Sequence, residues 1–150
     1  EEPLPADAPL EDWQQLAAAP GAPIAAGENL LGDRQFDAHI AAGVFGVVQP
    51  DMCKWGGFSK ILPLARRIIE AGQCYCPHFL AGAIGLMASA HCLAAAGGEG
   101  LLEIDANTNP LRDQLTGGLP AIVEGKMTLP EGPGLGVEPD PAFMQAFRVE

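Results

Sequence analysis

Five side chains suited to acid–base or ligand chemistry recur along the chain at nearly constant spacing. Glu1, Glu28, Asp51, His78 and Glu103 are separated by 27, 23, 27 and 25 residues. Each of the last four closes a short apolar run: "PIAAGEN", "VFGVVQPD", "QCYCPH" and "GLLEID". A carboxylate or imidazole at the mouth of one strand does little alone. Placed at the same end of neighbouring strands, such groups converge, and together they can hold a cation or move a proton.

The intervening segments must then be the elements that bring those ends together. Ile61, Leu62, Ala65, Ile68 and Ile69 recur at helical spacing between Phe58 and Ala71, and helices are predicted near 33–43 and 80–96. Short apolar strands alternating with helices read as parallel βαβ units. An eight-fold (β/α) barrel of about 250 residues spends about 31 on each unit and takes its chemical groups from the C-terminal ends of several strands. The observed period fits that architecture, with four complete strands and Glu1 ending a fifth. The expected fold class is α/β, the C-terminal half of a TIM-like barrel. Half a barrel leaves two open sheet edges and an unpacked interior, so a chain beginning inside a larger protein is expected.

Strand alternation makes a finer expectation. Ile24, Ala26 and Glu28 share a face, as do Phe45, Val47, Gln49 and Asp51, and Cys74, Cys76 and His78. If the last member of each set faces the mouth, the others fill interior layers beneath it. From Thr116 onward glycine and proline recur in "TGGLP", "LPEGPGLG" and "EPDP". The predicted division is therefore a barrel part over 1–116 and a loop-rich extension over 117–150, packing outside the barrel or on a capping domain, with one short strand near 122–129.

Composition narrows the partners. With 19 acidic against 8 basic residues, the net charge of -11 disfavours nucleic acid and anionic membrane surfaces. The uncharged run from Phe79 to Gly98 is long enough to test as a membrane span. Its Ala, Gly, Ser and His91 content, without a basic flank or aromatic belt, reads instead as a buried helix, with His91 as a buried residue of it. Four cysteines without framework spacing and no signal-like start point to reduced thiols and a cytoplasmic setting. The 48% apolar content favours homo-oligomerisation.

In this order and at this spacing, "EEP", "GEN", "PDMCKWGG", "PHF", "LEID" and "PGLGVE" resemble the C-terminal half of the enolase superfamily, mandelate racemase/muconate lactonizing enzyme type, from Glu1 to about Gly136. The resemblance implies a (β/α)7β8 barrel with Mg²⁺ at its mouth, Glu1 and Glu28 being the second and third metal ligands. The first ligand and a lysine base on an early strand would lie outside this sequence. The family's shared chemistry is removal of the proton next to a carboxylate through an enediolate, which a cation and hydrogen-bond donors must stabilise. His78 would be the general acid/base, with Asp51 orienting the ring and favouring its protonated form. Glu103 would donate a hydrogen bond to the substrate carboxylate from a protonated state, and Lys54 would bind substrate or neighbouring carboxylates.

Simpler readings compete with each assignment. Asp51 after Pro50 could only cap the next helix, His78 could be an ordinary strand-end histidine, and Glu1 with Glu2 could be an exposed acidic terminus. "CYCPH" lacks the paired spacing of a zinc site, and Gly56-Gly57 is a weak phosphate signal. The ordered set favours an enzyme acting on a small-molecule carboxylate, foremost a sugar-acid (aldonate or aldarate) dehydratase. The alternatives are a racemase or epimerase, a sugar-lactone cycloisomerase, suggested by "IDANTNPLRD", or a non-catalytic binding remnant.

Overall fold

The computed structural model describes residues 1–149. Contacts gather the chain into two compact units: Glu1–His78 with Cys92–Glu103, and Phe79–His91 with the residues from Ile104 onward.

The first unit begins with α1 (Leu10–Ala18), then alternates β1 (Ala25–Ala26), α2 (Asp33–Ala42), β2 (Val47–Val48), α3 (Gly57–Glu70) and β3 (Cys74–Tyr75). The strands form a parallel sheet in the order β1-β2-β3, as the alternation of apolar runs and helices predicts. Isolated bonds carry the ladder past the short strands: Gln49 N–H donates to Ala26 (2.9 Å) and Cys76 N–H to Val48 (3.1 Å). Glu2 N–H likewise donates to Ala25 (2.9 Å), which brings the start of the chain alongside β1.

Helix α3 buries Ile61, Leu64, Ala65 and Ile68, the i, i+3, i+4, i+7 stripe of a helix laid on a sheet. Helix α2 stops at Gly43, whose φ of 63° is the left-handed cap that glycine adopts without strain. Helix α1, which the apolar pattern does not announce, buries only Trp13, edge-on to Phe45 at 4.9 Å.

Several expectations need correction. No strand forms at Leu101–Glu103: the Leu101 amide donates to Cys76 Sγ (3.2 Å) rather than to a backbone carbonyl. Gly100 lies so close to the Tyr75 carbonyl that any Cβ there would overlap it. The face assignment fails for β1. Ala26 is level with Val48 and Tyr75 in the buried row, whereas Val47 and Cys74 share the half-buried row with Ala25. Finally, the expected single strand near 122–129 is a hairpin of β4 (Ile122–Val123) and β5 (Lys126–Met127). Glu124 and Gly125, at φ 51° and 74°, turn it in the manner of a type I′ loop.

The second unit also holds α5 (Pro110–Asp113) and α6 (Pro141–Ala146), each with proline at its start and a capping side chain before it. Helix α4 (Ala83–Ala96) contributes residues to both units. His91 is half-buried rather than buried, and its Nε2 bonds the Leu135 carbonyl at 3.1 Å. Among the described residues, no helix is long and apolar enough to cross a membrane.

Candidate active site

Three of the predicted groups, Glu28, Asp51 and His78, meet at one rim of the first unit. His78 follows β3 through buried Pro77, and its side chain is 7% exposed. Its Nδ1 lies 2.9 Å from Asp51 Oδ2 and its Nε2 3.1 Å from Glu28 Oε2. A carboxylate only accepts, so Nδ1 carries a hydrogen toward Asp51. The doubly protonated ring donates on both sides, and the singly protonated ring presents the Nε2 lone pair on the Glu28 side.

Asp51 divides its oxygens between two tasks. Oδ1 accepts from the amides of Cys53 (2.7 Å) and Lys54 (3.2 Å), fastening the turn that leads into α3. Oδ2 holds the ring. The capping reading and the ring-orienting geometry thus coexist, one on each oxygen.

Glu28 reaches this place by leaving the strand. Gly27, at φ 126°, turns the chain just past β1, and Leu30 N–H closes the turn onto the Gly27 carbonyl (3.2 Å). A backbone with that φ breaks the alternation of faces, which explains how Glu28 meets His78 although Ala26 faces the opposite row. Glu28 Oε1 accepts from Lys54 Nζ (3.1 Å) and Asn29 Nδ2 (3.3 Å), and Lys54 also reaches Asn29 Oδ1 (3.3 Å). Lys54 therefore binds a neighbouring carboxylate here.

Glu1 Oε1 accepts from Nε2 of Gln49 (2.7 Å), a residue 9% exposed whose own Oε1 has no partner. Glu103 has one carboxyl oxygen buried without a hydrogen-bond partner. Burial raises the Glu103 pKa; positive charge on His78 opposes the shift, and the charges of Glu1, Glu28 and Asp51 add to it. Glu103 thus lies close enough to the other four groups for their charges to act on it.

Sequence reasoning did not single out Asn29 or Gln49 as site residues. Gln49 offered a signal: an amide placed among interior side chains must find a partner. The thiols have other surroundings. Cys74 and Cys76 are half-buried with sulfurs 3.7 Å apart, Cys53 is exposed, and Cys92 is buried against the Tyr75 hydroxyl at 3.6 Å.

Residues 1–143 match the model of the family described as enolase C-terminal domain-like. The chain belongs to that family. It is 29% identical over 148 residues to a D-galactarolactone cycloisomerase of Agrobacterium fabrum, covering 93% of this chain and 39% of the relative. It is 30% identical over 151 residues to a D-galactonate dehydratase of Xanthomonas euvesicatoria, covering 97% and 39%. A crystal structure of a mandelate racemase/muconate lactonizing enzyme from Bordetella bronchiseptica superposes with a TM-score of 0.87 at 49% identity, over 97% of this chain and 41% of that one. The chain thus spans about two fifths of the length of these relatives. These relatives place the chain in the enolase superfamily, and its fold is mixed α/β.

Enolase-superfamily enzymes generally use Mg²⁺. Glu1 and Glu28 offer the oxygen donors that such a hard cation takes, and Mg²⁺ is commonly held by one or two carboxylates with water and substrate completing its shell. Among the described residues no cluster of three His, Cys, Asp or Glu side chains is arranged as a metal site. In the structure Glu1 Oε1 is bonded to Gln49, and the Glu28 oxygens face Lys54 and His78.

Proposed function

We propose that the protein is an enolase-superfamily enzyme that removes the proton next to a carboxylate, acting on sugar acids. Residues 1–116 belong, in this reading, to the C-terminal part of a (β/α)7β8 barrel, and 117–150 to an extension of it. The observation that carries the proposal is the grip on His78: Asp51 fixes Nδ1, and Nε2 is left at the rim beside Glu28. A base needs that orientation before its basicity matters.

Each residue has a definite task. His78 Nε2 takes the α-proton when Glu28 is engaged elsewhere. Asp51 holds the Nδ1 hydrogen and the charge that the ring then carries. Glu103, with an unpartnered buried oxygen and a raised pKa, keeps a proton and donates it as a hydrogen bond to the substrate carboxylate. Lys54 attracts the substrate anion or neutralises Glu28. Glu1 and Glu28 would hold Mg²⁺, which when bound stabilises negative charge developing on the substrate carboxylate.

Dehydration, with His78 also assisting loss of the β-hydroxyl, is the leading reaction. Similarity to a D-galactarolactone cycloisomerase supports cycloisomerisation as the second reading. The test is the purified protein with Mg²⁺ against aldonic and aldaric acids and their lactones. The expected result is α-proton exchange in D₂O with formation of 2-keto acid. Exchange without keto acid removes the dehydratase reading. His78→Asn is expected to abolish exchange with Mg²⁺ affinity retained; undiminished exchange removes His78 as the base.

A further inference from the structure

Glu2 plays no part in the chemistry above, yet its side chain is the most constrained of the two acids that open the chain. It is half-buried, and its φ of 42° lies in the left-handed region that non-glycine residues rarely adopt. Its Oε1 accepts from the amides of Gly27 (2.8 Å) and Glu28 (3.3 Å), while its own amide donates to Ala25 (2.9 Å). We propose that Glu2 is a positioning residue that fixes the Gly27–Glu28 turn and, through it, the carboxylate of Glu28.

The reason lies in what the turn does to the backbone. Beyond Ala26 the chain departs from the sheet at Gly27, so two successive N–H groups lose their strand partners. Partly buried amides require an acceptor, and the Glu2 carboxylate supplies one to both. The turn is also tight: a Cβ on Gly27 would stand 3.2 Å from the Gln49 nitrogen. Two consecutive acids on a regular strand would point to opposite faces. The left-handed residue lets Glu1 reach Gln49 and Glu2 reach the neighbouring turn. Without the Glu2 anchor the turn relaxes, and Glu28 loses its place 3.1 Å from both Lys54 Nζ and His78 Nε2.

The functional consequence rests on reading Glu28 as a Mg²⁺ ligand, so the experiment separates the two claims. Glu2→Ala, Glu2→Gln, Glu2→Asp and Glu28→Gln are compared in the purified protein by Mg²⁺ calorimetry and by amide NMR of Gly27 and Glu28. Gln keeps an acceptor at the same reach and is expected to bind Mg²⁺ within about threefold of wild type, with both amide resonances in place. Ala and Asp lose that reach and are expected to weaken Mg²⁺ about 10- to 100-fold, as loss of ligand-supporting hydrogen bonds typically does, and to shift both amides upfield. If Ala fails to fold, the contrast between Gln and Asp decides. Equal loss in Gln and Asp, or unmoved amides in Asp, overturns the positioning role. If Glu28→Gln leaves Mg²⁺ affinity unchanged, the ligand reading fails, while the amide shifts still decide the role of Glu2.

Discussion

Asp51→Asn probes the site at its narrowest point. The Asp51 side chain is 6% exposed and its two oxygens serve different partners. Asparagine can satisfy only one side. If its Oδ1 keeps the amides of Cys53 and Lys54, its Nδ2 faces His78 Nδ1, and an NH₂ group only donates. The ring must then accept at Nδ1 and carry its hydrogen on Nε2, where Glu28 Oε2 waits at 3.1 Å. The flipped amide would preserve the ring but set its NH₂ against two backbone N–H groups, losing two hydrogen bonds to keep one. The inverted tautomer is therefore favoured, and the lone pair that takes the substrate proton is gone. Loss of a hydrogen bond to a charged group costs about 1.5–3 kcal/mol, or roughly 10- to 100-fold. Loss of general-base function costs about 10²- to 10⁴-fold. The second effect dominates, so kcat for α-proton exchange should fall about 10²- to 10⁴-fold. Long-range ¹H–¹⁵N correlation spectra of the labelled protein report the tautomer directly, without substrate. A His78 ring still protonated at Nδ1 in Asp51→Asn, or an unchanged exchange rate, refutes this reasoning.

Two further substitutions test the scaffold. Gly27→Ala forces a side chain onto a backbone with φ 126° and against the Gln49 nitrogen, and should destabilise the protein by about 1–3 kcal/mol. Denaturant midpoints equal to wild type would contradict that turn. Tyr75 and Cys92 test pH dependence, since burial raises both pKa values; for Tyr75 the charges of Cys92 and Cys76 and the hydrogen bond to Cys92 add to the rise, whereas for Cys92 that hydrogen bond opposes it. The unfolded chain releases the thiol proton near 9.0 and the phenol proton near 10.0, while the folded chain retains both. The unfolded state then binds fewer protons, so this pair's stabilisation is complete below about pH 9 and is lost as pH rises. Stability of wild type should fall more steeply than that of Tyr75→Phe/Cys92→Ala between about pH 9 and 11; parallel slopes in chemical denaturation would refute it.

Which features were legible in the sequence follows from what a sequence encodes locally. Helix α3 was legible because its buried stripe is four residues deep, whereas α1 hides because Trp13 is its only buried side chain. The rim groups were legible by type, since Asp51 and His78 end apolar runs that have little other use for a charge. Pairing was not legible. "GLLEID" is as apolar as the runs that became strands, yet its Leu101 amide is taken by the Cys76 thiol, and apolarity cannot announce that partner. Nor was the exact end of β1 legible, so counting alternate residues through Gly27 put Ala26 on the wrong face.

The same limit explains why the residues bearing the chemistry were legible and those holding them were not. Each strand of the sheet pairs over only two residues, so ladder bonds alone cannot aim a side chain two or three positions past the last pair. Beyond the ladder, side chains must secure the backbone instead. Asp51 does so for Cys53 and Lys54, and Glu2 does so for Gly27 and Glu28. Both anchors depend on backbone angles that the residue types only permit. Such a rim can be altered by substitution while the sheet beneath it is kept, because the anchoring bonds lie outside the ladder that defines the fold.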